Sequence, residues 1–169
     1  MKFYVNPYNT SATGFYFETI EELEEKSAAL KDEFGLKVEE FEVEAIDGTR
    51  DEMELAEAFG INQANIAEFI EFIDTSDEDL WPTIYFLLDE NRVSSLYDAI
   101  RLASYYTVLE SNLLDAAREL FDECYGESIP YLVKPYIDYE SFARDCRLGG
   151  EMVEFEFAGK TYTCTNANQ

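Results

Sequence analysis

Carboxylates are the only chemically active groups this chain holds in abundance. Of 169 residues, 37 are Asp or Glu, 12 are Lys or Arg and none is His, which sets the net charge at −25. Without imidazole the chain lacks the commonest general base and the commonest metal ligand. Ser-His-Asp and Cys-His catalysis, HExxH zinc sites and Cys2His2 fingers are thereby excluded. Carboxylate pairs alone can hydrolyse glycosides, but 37 acids create close pairs on any fold, so spacing singles out none. The acidic run at 74–79, DTSDED, has no glycine at the sixth position of a calcium loop and is followed at once by Leu80 and Trp81; it fails the EF-hand pattern. No P-loop, GxGxxG or basic patch with interleaved aromatics is present. We therefore expect no catalytic residue, no metal and no cofactor: the protein is not an enzyme.

What the carboxylates can do is present a field. Glu40, Glu42 and Glu44 alternate along a strand-like run and project from one face about 6.6 Å apart. Glu18, Glu21, Glu22 and Glu25, and again Glu68 and Glu71, stand at helical i, i+3 and i+4 spacing, where like charges cost stability. Asp47, Asp51, Glu52, Asp74, Asp77, Glu78, Asp79, Asp89, Glu90, Asp115, Glu119, Asp122 and Glu123 extend the series. Residues 18–54 carry −11, 55–92 carry −8, 93–130 carry −5 and 131–169 only −2. The charge is spread over folded elements rather than gathered in a tail. B-DNA carries one charge per roughly 1.7 Å of axis, so 25 net charges equal those on about 42 Å of duplex. This field repels nucleic acid and anionic membranes and favours a basic partner. Solubility or a halophilic habitat also produces a low pI.

These acids need elements to hold them. Apolar residues make up 47% of the chain and aromatics 15%, enough for a core, and length predicts about one domain's worth of chain. Phe3-Tyr4-Val5 and Phe15-Tyr16-Phe17 read as strands around a turn-rich loop. Thr19 and Glu22 form a capping-box pattern opening a helix over 19–34, with Gly35 as its stop. Residues 38–46 alternate as a half-buried strand. Helices are expected over 51–59, 63–74 (with Ile66, Phe69, Ile70 and Ile73 inward), from a Ser76 cap through Pro82 with Leu80, Ile84, Leu87 and Leu88 inward, and over 95–103. Weak strand character follows at 105–109. A further helix over 112–125 buries Leu113, Ala117, Leu120 and Cys124; Asp138 caps another over 139–147, and a hairpin turning at Ala158-Gly159 closes the chain.

The expectation is α+β, elongated, with three small modules in series: a ββαβ-like N-terminal unit (1–48), a helical middle (49–92) and an α+β C-terminal unit with the closing hairpin (93–169). Three sparse cysteines without a CxxC predict reduced thiols. Arg144 and Arg147 flank Cys146 and could lower its pKa, although a structural thiol is the favoured reading. No signal peptide or apolar run long enough for a membrane span is present, which points to a cytoplasmic protein.

Residues 129–149, IPYLVKPYIDYESFARDCRLG, carry the most specific pattern. Ile129, Pro130, Tyr136, Ile137, Asp138, Tyr139, Phe142, Ala143, Arg144, Asp145 and Leu148 resemble the C-terminal signature of the ArdA antirestriction family. The preceding SNLLDAARELFDECYG is similar to that family's Asp-Ala-Ala-Arg helix, and the N-terminal element order also fits. The resemblance implies a protein of mobile elements and phages, acting in the cytoplasm of a bacterial host. It implies an acidic surface that imitates DNA and occupies the DNA-binding groove of a type I restriction-modification enzyme. It also implies a homodimer formed through the nearly neutral C-terminal part. Tyr136, Ile137, Asp138, Tyr139, Phe142, Arg144 and Asp145 mark the family and are candidates for that interface, the aromatics among them as core or interface residues. Residues 51–92 carry little of the resemblance, which leaves two alternatives: mimicry aimed at a CRISPR effector or another basic DNA-binding protein, or an acidic protein–protein interaction module.

Overall fold

The computed structural model describes residues 1–169 and is α+β, with seven α-helices and two three-stranded antiparallel sheets. Two compact units divide the chain: Met1–Trp81 with Ser94–Leu96, and Pro82–Val93 with Tyr97–Gln169.

In the first unit, β1 (Lys2–Pro7), β2 (Phe15–Phe17), α1 (Ile20–Ala29) and β3 (Phe41–Asp47) follow the expected order, with sheet order β2-β1-β3. Strand alternation sends Phe3, Val5, Phe17, Phe41 and Val43 to a buried face. Phe3 stacks on Phe17 at 5.2 Å and meets Phe69 edge-on at 6.5 Å. Gly14 is required where it stands, because a Cβ there would strike the Val5 carbonyl and the Tyr4 ring. The helices α2 (Arg50–Phe59) and α3 (Ile66–Thr75) complete the unit. Thr49 and Glu52 form a full capping box on α2, and Gly60 ends it in the left-handed region at φ 66°.

Several boundaries differ from the sequence reading for local reasons. Helix α1 ends at Ala29, not at 34. Asp32 accepts hydrogen bonds from the N–H groups of Phe34 (3.0 Å) and Leu36 (2.8 Å), which offers the backbone an alternative to the helix. Gly35, at φ 81°, serves this loop rather than a helix end. Strand β3 begins at 41 instead of 38. Gln63 reaches in from the segment before α3, donating to the Glu39 carbonyl (2.8 Å) and accepting from the Phe41 N–H (3.3 Å). Helix α3 starts at 66 because Asn62 and Asn65 close a side-chain turn ahead of it. Phe72 is buried on α3 beside Ile66 and Phe69. Asp77, not Ser76, caps the short 3₁₀ turn Glu78–Leu80; Ser76 instead accepts from the Trp81 indole N–H at 2.8 Å. That turn leaves Leu80 exposed rather than inward.

The second unit contains most of α4 (Trp81–Asp89) and α5 (Leu96–Ala103), with β4 (Val108–Leu109), α6 (Leu113–Tyr125), α7 (Tyr139–Leu148) and the hairpin β5 (Val153–Phe157) and β6 (Lys160–Cys164). Pro82 lies in the first turn of α4, where a missing N–H costs nothing. Ala158 (φ 54°) and Gly159 (φ 79°) make a two-residue turn with both φ positive, the geometry that matches strand twist. The core joins Ile84, Phe86 and Leu87 to Phe157, with Phe86 stacked on Phe155 at 5.2 Å. Small Ala117, Ala143 and Cys146 pack with Met152 between α6 and α7. Asn112, one residue after Ser111, caps α6, and Cys124 is exposed rather than part of the inward stripe. The C-terminal residues are tied down: Ala167 donates to the Glu151 carbonyl, and Arg92, stacked on Phe86, donates to the Ala167 carbonyl.

Candidate partner-binding surface

The acids separate into those with work inside the fold and those without it. Glu22 accepts from the Lys26 ammonium at 3.0 Å and from the Glu18 N–H, and the lysine bond in particular holds its carboxyl below the usual range. Glu52 is committed to the α2 cap and Asp77 to the 3₁₀ turn. In the second unit Asp115 caps back onto Asn112 (2.8 Å) and Asp122 accepts from the Tyr139 hydroxyl (2.9 Å).

The remainder point to water. Glu18, Glu21 and Glu25 are exposed at and on α1; Glu40 and Glu42 at and on β3; Asp47 at its end, opposite Lys2. Glu44 and Asp51 are half-buried. Glu68, Glu71 and Asp74 follow one another at three-residue spacing on α3, all exposed, and Glu78 and Asp79 continue past it. Asp89 and Glu90 end α4, and Glu119 and Glu123 lie on α6, also exposed. With 12 basic residues against 37 acids, at least 25 carboxylates have no basic side chain of their own. The ion pairs that do form, such as Lys37–Glu39 (3.0 Å), Arg50–Glu54 (2.8 Å) and Lys160–Glu110 (2.8 Å), lie at the surface, where each contributes little. No three Asp, Glu or Cys side chains gather in a metal-binding group.

The signature residues have structural duties. Asp138 accepts from the Ser141 N–H (2.9 Å) and hydroxyl (2.7 Å), capping α7; the first of these bonds is the main reason its carboxyl titrates lower than usual. Tyr139 and Phe142 pack edge-on against Phe121 at 5.4 and 5.1 Å, holding α7 to α6. Burial and the Asp122 bond raise the Tyr139 hydroxyl pKa. Arg144 pairs with its neighbour Asp145 at 3.1 Å. Cys146 is buried, and desolvation pushes its thiol up, against the lowering that flanking arginines suggest. Tyr136 is 85% exposed, so it is no core residue, whereas Ile137 is half-buried.

This arrangement matches a known family over most of its length. A family model described as Antirestriction protein (ArdA) matches residues 8–159. The chain belongs to the ArdA antirestriction family. Neither the curated proteins nor the solved structures compared with it give a match. The ArdA match spans both units, taking in the acidic elements and the α6–α7 signature alike.

One part of the surface emerges only from the structure. The open face of the first sheet carries Tyr4, Tyr16 and Asn6 among its glutamates. The signal was the alternation Lys2, Tyr4, Asn6, Tyr8, which interleaves with the buried Phe3 and Val5.

Proposed function

We propose that this ArdA protein inhibits a type I restriction-modification enzyme by occupying its DNA-binding groove, without catalysis, as a copy of the phosphate array. The observation that carries this reading is the excess of carboxylates held on helices and strands and turned to solvent without basic partners. A surface selected only for solubility intersperses both signs. A groove built to release counterions from DNA would accept such a surface by the same physics. The test is an equilibrium competition between this protein and a fluorescent duplex for a purified type I enzyme. Mutually exclusive binding that weakens steeply with salt is expected. A ternary complex with DNA still bound would overturn the mimicry. Inhibition confined to a CRISPR effector or another basic-grooved nuclease would move the target while leaving the mechanism.

We also propose a homodimer formed through the C-terminal part. Support comes from the acid-free stretch 129–137, whose Tyr131, Leu132 and Tyr136 are 82–85% exposed; such apolar surface usually marks an interface. Sedimentation equilibrium of the wild type and of Tyr136→Asp tests it: a dimer dissociated by the substitution is expected, and a monomeric wild type at high concentration refutes it.

A further inference from the structure

We propose that the open face of the β2-β1-β3 sheet is a guanidinium-binding surface, at which arginine side chains of the basic partner seat between tyrosine rings and carboxylates. The inference rests on the groove-occupying function proposed above and names the partner chemistry for one part of that surface.

Register builds the face. Tyr4 stands opposite Tyr16 on one side and Glu44 on the other, and Asn6 stands opposite Glu42. The Tyr8 N–H donates to the Glu40 carbonyl (3.3 Å), carrying the ladder one pair further. The opposite face of the same strands is buried by Phe3, Val5, Phe17 and Val43, so Tyr4, Tyr16, Glu42 and Glu44 share the side turned to solvent. Tyr16 is 51% exposed, and its ring lies 4.8 Å from that of Tyr4. Asn6 donates to one oxygen of Glu44 at 3.4 Å, which orients the carboxylate.

Two observations select the occupant. An imitation of phosphates needs carboxylates only, and α3 and the 3₁₀ turn supply them without aromatics between. Here two neighbouring tyrosine rings, Tyr16 on β2 and Tyr4 on β1, lie beside the Glu42 and Glu44 carboxylates of β3. The face also already holds a cation: the Lys2 ammonium lies 5.1 Å above the Tyr16 ring. A planar, weakly hydrated guanidinium uses a ring face and a carboxylate edge together, whereas a compact, strongly hydrated ammonium gains less from the ring. Opposite charge and the paired ring and carboxylate therefore point to arginine.

The experiment titrates the full chain with two peptides of equal length and charge, one alternating Arg and Gly, the other Lys and Gly. Affinities are read by calorimetry and binding sites by amide NMR shifts. The Arg peptide is expected to bind about two- to five-fold more tightly, with the largest shifts at Tyr4, Tyr16, Glu42 and Glu44. Tyr16→Ala should abolish the preference, weakening the Arg peptide more than the Lys peptide until the two bind alike. If that variant melts early, Tyr16→Leu, which keeps bulk on the strand but has no ring, gives the same readout. Equal affinities in the wild type, a preference that survives loss of the ring, or shifts centred on the helices would overturn the inference. The duplex competition above is run in parallel. Competition without an arginine preference defeats this inference alone, and an arginine preference without competition defeats the mimicry alone.

Discussion

Carboxylates exposed on β3 and α3 and carboxylates bonded around α7 are the same chemical group in opposite situations. Around α7 they are consumed locally: Asp138 caps the helix, Asp122 accepts from Tyr139, Asp145 pairs with Arg144 and Asp115 closes on Asn112. On β3 and α3 and in the 3₁₀ turn, Glu42, Glu68, Glu71, Asp74 and Glu78 face water with no basic partner. Like charges at helical spacing cost each helix a few tenths of a kcal/mol per pair. A cost borne repeatedly with no return inside the fold is what a recognition surface looks like. The family match covers both regions, so one chain holds acids bonded within its fold and acids left to solvent, and under the proposed function it is the second set that meets the partner.

The sharpest way to break that comparison is to reverse the unpartnered charges. Replacing Glu40, Glu42 and Glu44 together with Lys should weaken binding to the target groove by about a hundred-fold or more. The slope of log affinity against log salt should fall by about three in magnitude. The melting temperature should stay level or rise, because three positive charges then sit among the surplus acids of a chain at −25. Binding is checked by the duplex competition and folding by circular dichroism. A variant that keeps full affinity would return the charge to solubility alone.

Much of this division could be read from the chain, and the failures have causes. Caps were legible where one residue makes a short-range bond, as with Thr19 and Asp138, whereas the Thr49–Glu52 box on α2 emerged only from the structure. Alternation revealed β3 and the hairpin. The end of α1 was hidden because apolar Phe34 continues the helical spacing, while Asp32 wins the backbone for a loop that leaves Phe34 76% exposed. Cys124 misled similarly: it sits at helical spacing from Ala117 and Leu120, past the point where α6 leaves its core. The tyrosine row on the first sheet escaped notice because it depends on which strands are neighbours, and a register across three strands is not written in any one of them.

The engaged carboxylates should give the converse result. Asp138→Ala removes both Ser141 bonds and should lower the melting temperature by about 3 °C, as expected for a lost N-cap in a chain of this size. Competition with duplex should change little. The pH dependence has a definite sign. The folded Asp138 carboxyl titrates below its ordinary value of about 3.9. Its stabilisation is therefore complete above that value and is lost as the pH falls through the lowered folded pKa. The difference in melting temperature between wild type and variant should shrink in that acid range and be constant at neutral pH. A gap that widens on acidification would remove Asp138 from its capping role.

Salt should act on the surplus charge before it acts on the caps. Raising ionic strength from about 0.01 to about 0.15 M shortens the Debye length from roughly 30 to 8 Å, relieving repulsion among exposed acids. The wild type should melt a few degrees higher in the added salt, and the triple lysine variant should gain less. Equal gains in both would place the repulsion elsewhere in the chain.

The smallest effect tests whether the acids around α7 are engaged one by one or as a group. Tyr139→Phe deletes the hydroxyl that Asp122 accepts at 2.9 Å but keeps the ring against Phe121 and beneath the Arg118 guanidinium, 5.2 Å from its centroid. If the hydroxyl bond is one contact among several, the loss should be about 1–2 °C, since both partners regain water at this surface. The Asp122→Asn variant should then cost a similar amount, and the double variant little more than either single. A double variant that loses the sum of both would mean that Asp122 does separate work, and would shift it from the acids spent on folding to those kept for a partner.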